Sequence, residues 1–348
     1  MQSTDSRTRT GRRTAVTAAL IAGLLALTGC ASADNGAAER DDAALLPAAE
    51  GATEYPLALE SPFGETTLTE RPERIAIITA STLDTDALIA LGGTPVFAPS
   101  TVDRNPWLPE RTVADIETLW ESEQGSEVSA EKVAAADPDL IVALAAYDTF
   151  DQSYFDQLST IAPVLYAEEG TLSWQEMTQQ LGDAIDLSAA AKTVVADAEQ
   201  TVADARTAHP EFEGKSAAHI IVYEEEWGTA YVSAPGTDTA ALFEDLGFVL
   251  PENAAKFSEN DTVSNELIGL IDADFLLVST FDAGTESYLV ESELFKAVPA
   301  VADGRAVFNQ GDQETGTNYF AWGLNVQSAL SVPWLIERLA GFGAEALG

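Results

Sequence analysis

The sequence contains only one cysteine, Cys30, and two histidines, His209 and His219, in 348 residues. An internal disulfide therefore cannot form, and stability has to come from a packed core. A dedicated zinc or manganese receptor needs several histidine and carboxylate ligands. Neither histidine fits that role, because the first ends a helical stretch and the second opens a strand. We therefore expect no bound metal and no cofactor.

Basic residues are scarce: 17 lysines and arginines stand against 57 aspartates and glutamates, which gives a formal net charge of −40. An acidic surface repels phosphate backbones, so nucleic acid is not expected as a partner. It also favours a cationic ligand over an anionic one. The sequence has no G-x-S-x-G, P-loop or G-x-G-x-x-G motif and no usable Cys–His pair. Catalysis is not expected, and a hydrolase is kept only as an alternative.

No apolar run reaches the length of about 20 residues that a membrane-spanning helix needs. The apolar stretch Thr14–Thr28 is shorter, follows four arginines and ends in Leu27-Thr28-Gly29-Cys30. This pattern predicts a secretory leader at residues 1–29. The ending resembles a bacterial lipobox, which implies cleavage before Cys30 and lipidation of its sulfur. The pair Arg12-Arg13 leaves open whether export follows the general or the twin-arginine route.

Residues 30–54 are predicted to form a flexible tether, since alanine, glycine and acidic residues dominate there. After the tether, strand-like runs alternate with helical patterns, which is typical of a parallel sheet covered by helices. The predicted N-terminal lobe spans residues 55–187, and a C-terminal lobe of the same α/β class spans residues 210–348. Between them, residues 188–209 lack glycine and proline and predict one rigid helix of about 30 Å.

The two predicted lobes share an internal repeat. "VSAEKVAAADPDLIVAL" from Val128 aligns without gaps with "VSNELIGLIDADFLLVS" from Val263, and a second pair of segments, from Asp84 and from Asp238, follows the same order. The first alignment matches Glu131 with Glu266, each placed in the first turn of a serine-capped helix. Each glutamate can simply stabilise the N-terminus of its own helix through the helix dipole. Alternatively, the two together can form a two-point docking site for a partner with basic pockets.

Three segments resemble the substrate-binding lipoproteins of iron-siderophore ABC importers: "ERPERIAIIT", "VSAEKVAAADPDLIVA" and "ELFKAVPAVADGRAVF". The resemblance implies two Rossmann-like lobes joined by a rigid helix, the class III periplasmic-binding-protein architecture. It also implies a ferric siderophore as ligand and an ABC permease with a separate ATPase subunit as partner. Glu131 and Glu266 match the family's permease-docking glutamates. The expected protein is a monomer, held by the lipid on Cys30 at the outer face of the cytoplasmic membrane.

Ligand contacts are expected on loops at the carboxyl ends of the strands, where ligands bind in such folds. Aromatic faces suit large amphiphilic chelates and attract cations. The expected contacts are Tyr147, Trp227, Tyr231, Trp322, Trp107, Ser81 and Phe281.

The ligand loops hold almost no basic residue, and "YEEEW" (Tyr223–Trp227) adds three carboxylates. A neutral or cationic ferric hydroxamate is therefore favoured over an anionic catecholate or citrate complex. A haem or cobalamin receptor of the same fold remains an alternative, since Tyr147 or Tyr231 has the chemistry of a haem ligand. A surface lipoprotein without a transport role is the other alternative.

Overall fold

A computed structural model describes residues 44–348, apart from residues 109, 123–127, 147–148, 259–260, 281–283 and 313–316. The predicted leader, Cys30 and the first part of the predicted tether lie outside the described residues. Within the described part of the chain, no helix is both long and apolar enough to cross a membrane.

The N-terminal lobe begins with an antiparallel hairpin of β1 (Leu57–Ser61) and β2 (Gly64–Leu68). Its sheet then consists of β3 (Ile75–Ile77), β4 (Phe97–Pro99), β5 (Thr118–Trp120), β6 (Leu140–Ala146) and β7 (Val164–Glu168). The order is β5-β4-β3-β6-β7 and all pairings are parallel. Every residue of the apolar strand β6 is buried, as expected where helices cover both faces of a parallel sheet.

Five helices accompany this sheet: α1 (Leu83–Ala90), α2 (Glu110–Ala114), α3 (Ala130–Ala135), α4 (Gln152–Ser159) and α5 (Trp174–Ala184). Several begin at a side-chain cap that accepts from an otherwise unpaired backbone N–H group. Asp151 caps α4, and Ser173 forms a reciprocal capping box with Glu176 at the start of α5. Local sequence signals therefore fix where these helices begin.

The predicted connecting helix is confirmed as α6 (Ser188–Ala208), which is 21 residues long. His209, the last residue of the prediction, is its C-terminal cap. The helix contacts α5 of the N-terminal lobe and, on the other side, the C-terminal helix α12 (Ser331–Leu347). One rigid element therefore carries both lobes.

The end of the predicted tether needs a correction, because residues 45–54 are bonded to the N-terminal lobe. The carboxylate of Asp186 accepts from the backbone N–H groups of Gly51, Ala52 and Thr53 at 2.7–2.9 Å. Leu46 is buried in the lobe's core. Glu50 accepts from the N–H groups of two residues in the first turn of α6, at 2.7 and 2.8 Å. The sequence pattern did not reveal these hydrogen bonds, because they join backbone N–H groups to the carboxylates of Asp186 and Glu50. A polar composition alone is equally typical of a flexible tether.

Glu50 replaces a missing cap, since Leu187 at the N-cap position of α6 has no side chain that can accept. We expect Glu50→Ala to lower the free energy of unfolding by about 1 kcal/mol, the usual cost of losing a helix cap. Urea unfolding followed by circular dichroism measures this change. The control is Glu54→Ala, which removes an exposed carboxylate nearby. Equal stability of the two variants would contradict the capping role.

The C-terminal lobe contains β8 (Ala217–Val222), β9 (Thr229–Tyr231), β10 (Asp261–Thr262), β11 (Phe275–Thr280) and β12 (Ala306–Gln310). Its helices before α12 are α7 (Asp238–Asp245), α8 (Ser287–Val290), α9 (Glu293–Lys296), α10 (Pro299–Ala302) and α11 (Tyr319–Asn325). The predicted α/β class is thus confirmed for both lobes, each of which has its own five-stranded sheet.

The sheet of the C-terminal lobe is mixed, whereas the sequence pattern predicted a parallel sheet. Its order is β10-β9-β8-β11-β12, with β9 and β10 running antiparallel to their neighbours. The reason lies in the short link from Tyr223 to Gly228, which leaves no room for the crossover that parallel pairing requires. Gly228 closes this turn with a positive φ of 77°.

Candidate ligand-binding cleft

The first loop at the carboxyl end of the N-terminal sheet is held by a buried aspartate. Thr79, two residues after β3, donates its hydroxyl to Asp84 at 2.7 Å. The same Oδ2 atom accepts from the backbone N–H groups of Leu144 and Ala145, at 3.0 and 3.4 Å. Burial raises the pKa of Asp84 to about 6, although these hydrogen bonds favour the charged form. Asp84 thereby ties the loop after β3 to the end of β6.

A second buried carboxylate, Asp86, lies two residues further along α1, about half a turn on, and contacts the other lobe. Its Oδ2 atom accepts from the Trp107 indole at 2.8 Å and from the Ser328 hydroxyl at 2.7 Å. Asn105 approaches the other oxygen at 3.5 Å. Burial raises the pKa of Asp86 to about 7, while the three donors act in the opposite direction.

Two of the predicted ligand contacts meet each other across the lobes. The rings of Trp107 and Trp322 are stacked, with centroids 6.4 Å apart and planes inclined by 22°. Trp107 also meets Trp334 edge to face at 5.6 Å. The guanidinium of Arg338 lies over the Trp334 ring, 3.8 Å from its centroid. Trp107 therefore packs against two aromatic rings of the other lobe, and Trp322 contributes one of them.

Trp227 has the geometry expected of a contact residue. It lies in the turn between β8 and β9, and 70 % of its surface is exposed. The turn closes through backbone bonds from Trp227 and Gly228 to the carbonyl of Glu224. Three exposed glutamates, 224–226, precede the ring. A large aromatic face and negative charge are thus presented together at the carboxyl end of β8.

Tyr231 and Ser81 lie deeper than the sequence pattern suggested. Tyr231 has no exposed surface, and its ring stacks on Phe257 at 4.3 Å in the core of the C-terminal lobe. It therefore offers no surface to a ligand, and its assignment to the cleft needs correction in favour of core packing. Ser81 is 4 % exposed beside the start of α1, where its hydroxyl lies 3.4 Å from the Leu83 N–H group. Tyr147 and Phe281 lie outside the described residues.

The repeat predicted from sequence has a structural counterpart in two aspartates. Asp139, just before β6, accepts from the backbone N–H groups of Glu73 and Arg74, just before β3. Asp274, just before β11, accepts from the Ser216 N–H group, just before β8. In each sheet the matched aspartate therefore fastens two neighbouring parallel strands at their amino ends.

The two glutamates of the repeat are both exposed but stand on different local structures. Glu131 lies in the first turn of α3, where the Ser129 side chain accepts from the Lys132 N–H group at 3.4 Å. Glu266 lies in an exposed turn before a 3₁₀ helix at Ile268–Leu270. The α-helix predicted after Ser264 is thus wrong. The docking role of Glu131 and Glu266 stays a prediction.

A cavity of about 450 Å³ lies elsewhere, on the α6 side of the lobe junction. It is bounded by α5, α6 and α7, and none of the predicted ligand contacts lines it. Its polar lining includes Glu199, Arg206, Asp238 and Asp245. Those predicted ligand contacts that the structure describes therefore lie outside this cavity.

Two α/β lobes with facing loops, carried by one rigid helix, define a bilobal ligand-binding protein. The sequence profile of periplasmic binding proteins matches residues 77–310, more than half of the chain. The chain belongs to this family.

Among curated proteins, the chain is 27 % identical over 250 residues to the probable siderophore-binding lipoprotein YfiY of Bacillus subtilis, covering 68 % of this chain and 74 % of YfiY. It is 26 % identical over 290 residues to the ferric enterobactin-binding periplasmic protein FepB of Escherichia coli, covering 79 % of this chain and 90 % of FepB. The relatives are named as binding proteins, which agrees with the predicted absence of catalysis.

Among solved structures, a periplasmic solute binding protein of Mycobacterium smegmatis superposes with a TM-score of 0.69 at 22 % identity. The match covers 84 % of this chain and 99 % of that chain. At this identity the likeness concerns the fold, and it confirms the predicted class III periplasmic-binding-protein architecture.

Sequence reasoning missed Asp86 and Ser328. A signal for the first was present, because "LDTDALIA" places two acids within an otherwise apolar helix of a buried α/β layer. A buried acid needs hydrogen-bond partners, so an acid within an apolar helix can be predicted to form a specific contact. No local signal singled out Ser328, which lies 242 positions from Asp86 in sequence.

Proposed function

We propose that this protein is the extracytoplasmic substrate-binding lipoprotein of an ABC importer and binds a ferric siderophore between its lobes. The membership in the periplasmic binding protein family and the name of the relative YfiY, a probable siderophore-binding lipoprotein, support this proposal. The lipobox-like ending at Cys30 supports a lipid anchor on the outer face of the cytoplasmic membrane. Loaded protein then docks on a permease through Glu131 and Glu266, and a separate ATPase subunit drives transfer.

The single observation that carries the ligand class is the exposed Trp227 beside three glutamates. A tryptophan face favours cations and weakly solvated chelates, and the neighbouring carboxylates disfavour anions. No lysine or arginine lies in the described loops after β3 or β8. We therefore propose a neutral or cationic ferric hydroxamate rather than an anionic catecholate or citrate complex.

Tryptophan fluorescence of the chain from Ala31 onward tests the ligand class. We expect ferrioxamine B and ferrichrome to quench it at micromolar or lower concentration, and a ferric catecholate, ferric citrate, haem and cobalamin to bind more weakly. Trp227→Ala should weaken hydroxamate binding while leaving the folded state intact, because the ring is largely exposed.

Tighter binding of the anionic catecholate would overturn the ligand class while keeping the receptor. Binding of haem or cobalamin alone would support the alternative receptors of this fold. If none of these compounds changes the fluorescence of a protein that circular dichroism shows to be folded, the receptor function itself is overturned.

A further inference from the structure

Asp86 is the point where hydrogen bonds from both lobes meet. Its side chain is fully buried, and its Oδ2 atom accepts from Trp107 of its own lobe and from Ser328 of the other. Among the described residues, no lysine, arginine or histidine forms an ion pair with it. Neutral donors alone compensate this carboxylate, so each donor contributes strongly to holding it.

The Trp107 ring extends this contact into the C-terminal lobe. Its indole N–H group is fixed by Asp86, and its ring contacts Trp322 of α11 and Trp334 of α12. Gly323 of α11 lies beside this ring: a Cβ atom there would meet Trp107 at an ordinary contact distance of 3.5 Å and Leu335 at a tighter 3.1 Å. One carboxylate therefore positions both the polar and the aromatic contact between the lobes.

The contact is not needed to build either lobe alone. Asp86 and Ser328 are 242 positions apart, and α6 already joins the lobes covalently. The apolar face of α1 packs into the N-terminal core through Ala87 and Leu88, and so does Leu91 at its C-terminal cap. The Asp86 hydrogen bonds additionally fix the position of α1 relative to the segment that links α11 to α12.

We propose that Asp86 is a positioning residue whose bonds to Ser328 and Trp107 latch the two lobes at the angle that ligand binding requires. The link to ligand rests on the proposed receptor function, whereas the latch itself is a property of the ligand-free protein. The chain segments that the latch joins are α1 and the 105–107 loop in one lobe and residues 322–328 in the other. They follow the carboxyl ends of β3, β4 and β12 along the chain, the ends where ligands bind in open α/β sheets.

The test compares four variants of the full chain in a Cys30→Ser background. Ser328→Ala removes only the cross-lobe donor. Asp86→Asn keeps the volume and one accepting oxygen, whereas Asp86→Leu removes both acceptors. The matched control is Thr239→Val, which removes a buried hydroxyl that bonds the Leu324 carbonyl inside the C-terminal lobe.

Spin labels at Glu65→Cys and Glu252→Cys, both exposed and in different lobes, report the distance between lobes without ligand. We expect Ser328→Ala and Asp86→Leu to broaden the distance distribution, and Asp86→Asn to resemble the parent. Ferrichrome should dissociate at least about tenfold faster from Ser328→Ala, the change expected for losing a hydrogen bond to a charged acceptor.

A role limited to folding would lower stability in all variants without changing the distance distribution. The latch is therefore overturned if Ser328→Ala and Thr239→Val give the same distances. Ser328→Ala keeps the test decisive should Asp86→Leu fail to fold. If the parent protein binds no chelate, the proposed function fails, yet the ligand-free distances still decide for or against the latch.

Discussion

Reversing both charges, with Glu131→Lys and Glu266→Lys together, is expected to reduce uptake to the level of a strain without the permease. Both side chains are exposed, and they occupy matched places in the repeat, one in each lobe. If each meets a basic pocket of the permease, a lysine there places like charges in contact. That costs several kcal/mol per site, or about a hundredfold or more in affinity. Ligand affinity should not change.

Uptake of radioactive iron supplied as the bound chelate measures the docking effect, and fluorescence titration of the purified variant measures ligand affinity. The control reverses two other exposed glutamates, Glu65→Lys and Glu252→Lys, again one in each lobe. It has the same net charge as the test variant. Normal uptake by the Glu131/Glu266 variant would show that the docking assignment is wrong. Loss of uptake in both double variants would point to net charge rather than to docking.

Stability is expected to fall as pH rises from about 4 to about 7, because two buried aspartates must then ionise. Burial raises the pKa of Asp84 to about 6 and of Asp86 to about 7, from an ordinary value of 3.8. Between the ordinary and the raised pKa, the folded state binds more protons than the unfolded state. The free energy of unfolding therefore decreases by about 1.4 kcal/mol per pH unit for each titrating group. Above pH 7 this contribution is constant.

The double variant Asp84→Asn, Asp86→Asn should lose this part of the pH dependence, since an amide keeps the shape and one acceptor but does not ionise. Urea unfolding at pH 5 and pH 8 gives the two free energies. The other carboxylates of this acidic chain also repel one another at high pH, so the difference between parent and variant is the measured quantity. Asp103→Asn with Asp115→Asn, both exposed, is the control. Parallel pH profiles of parent and test variant would refute the prediction.

Much of the fold follows from local sequence signals. The alternation of apolar runs and helical patterns predicted both lobes, and the stretch without glycine or proline predicted α6 to within one residue. The prediction of parallel pairing in the second half was wrong for β8 and β9. The turn of a few residues between these two strands makes them antiparallel. The predicted end of the tether was wrong, because the carboxylates of Glu50 and Asp186 accept hydrogen bonds from backbone N–H groups that are far away in sequence.

The site was harder to predict than the fold. Trp227 and Tyr231 were both predicted as contacts because they are aromatic and lie after a strand, yet the first is 70 % exposed and the second, four residues later in β9, is entirely buried. Periodicity cannot separate these two aromatics, since the difference lies in Phe257, which covers the tyrosine ring. The Asp86–Ser328 contact depends on the packing of two lobes: the paired acids of α1 mark one partner, whereas nothing in the local sequence marks Ser328.

The single helix α6 also affects how much conformational entropy the protein loses when it binds a ligand. A binding protein with a loose hinge loses conformational freedom when its lobes close, and this entropy loss weakens its affinity. Here 21 residues of continuous helix, held at the first turn by Glu50, connect the lobes before any ligand arrives. The helix, together with the Asp86 contacts between the lobes, reduces the ordering that binding requires. Preorganisation of this kind leaves affinity to the contacts themselves, and it lets association proceed at the rate of diffusional encounter rather than of domain closure.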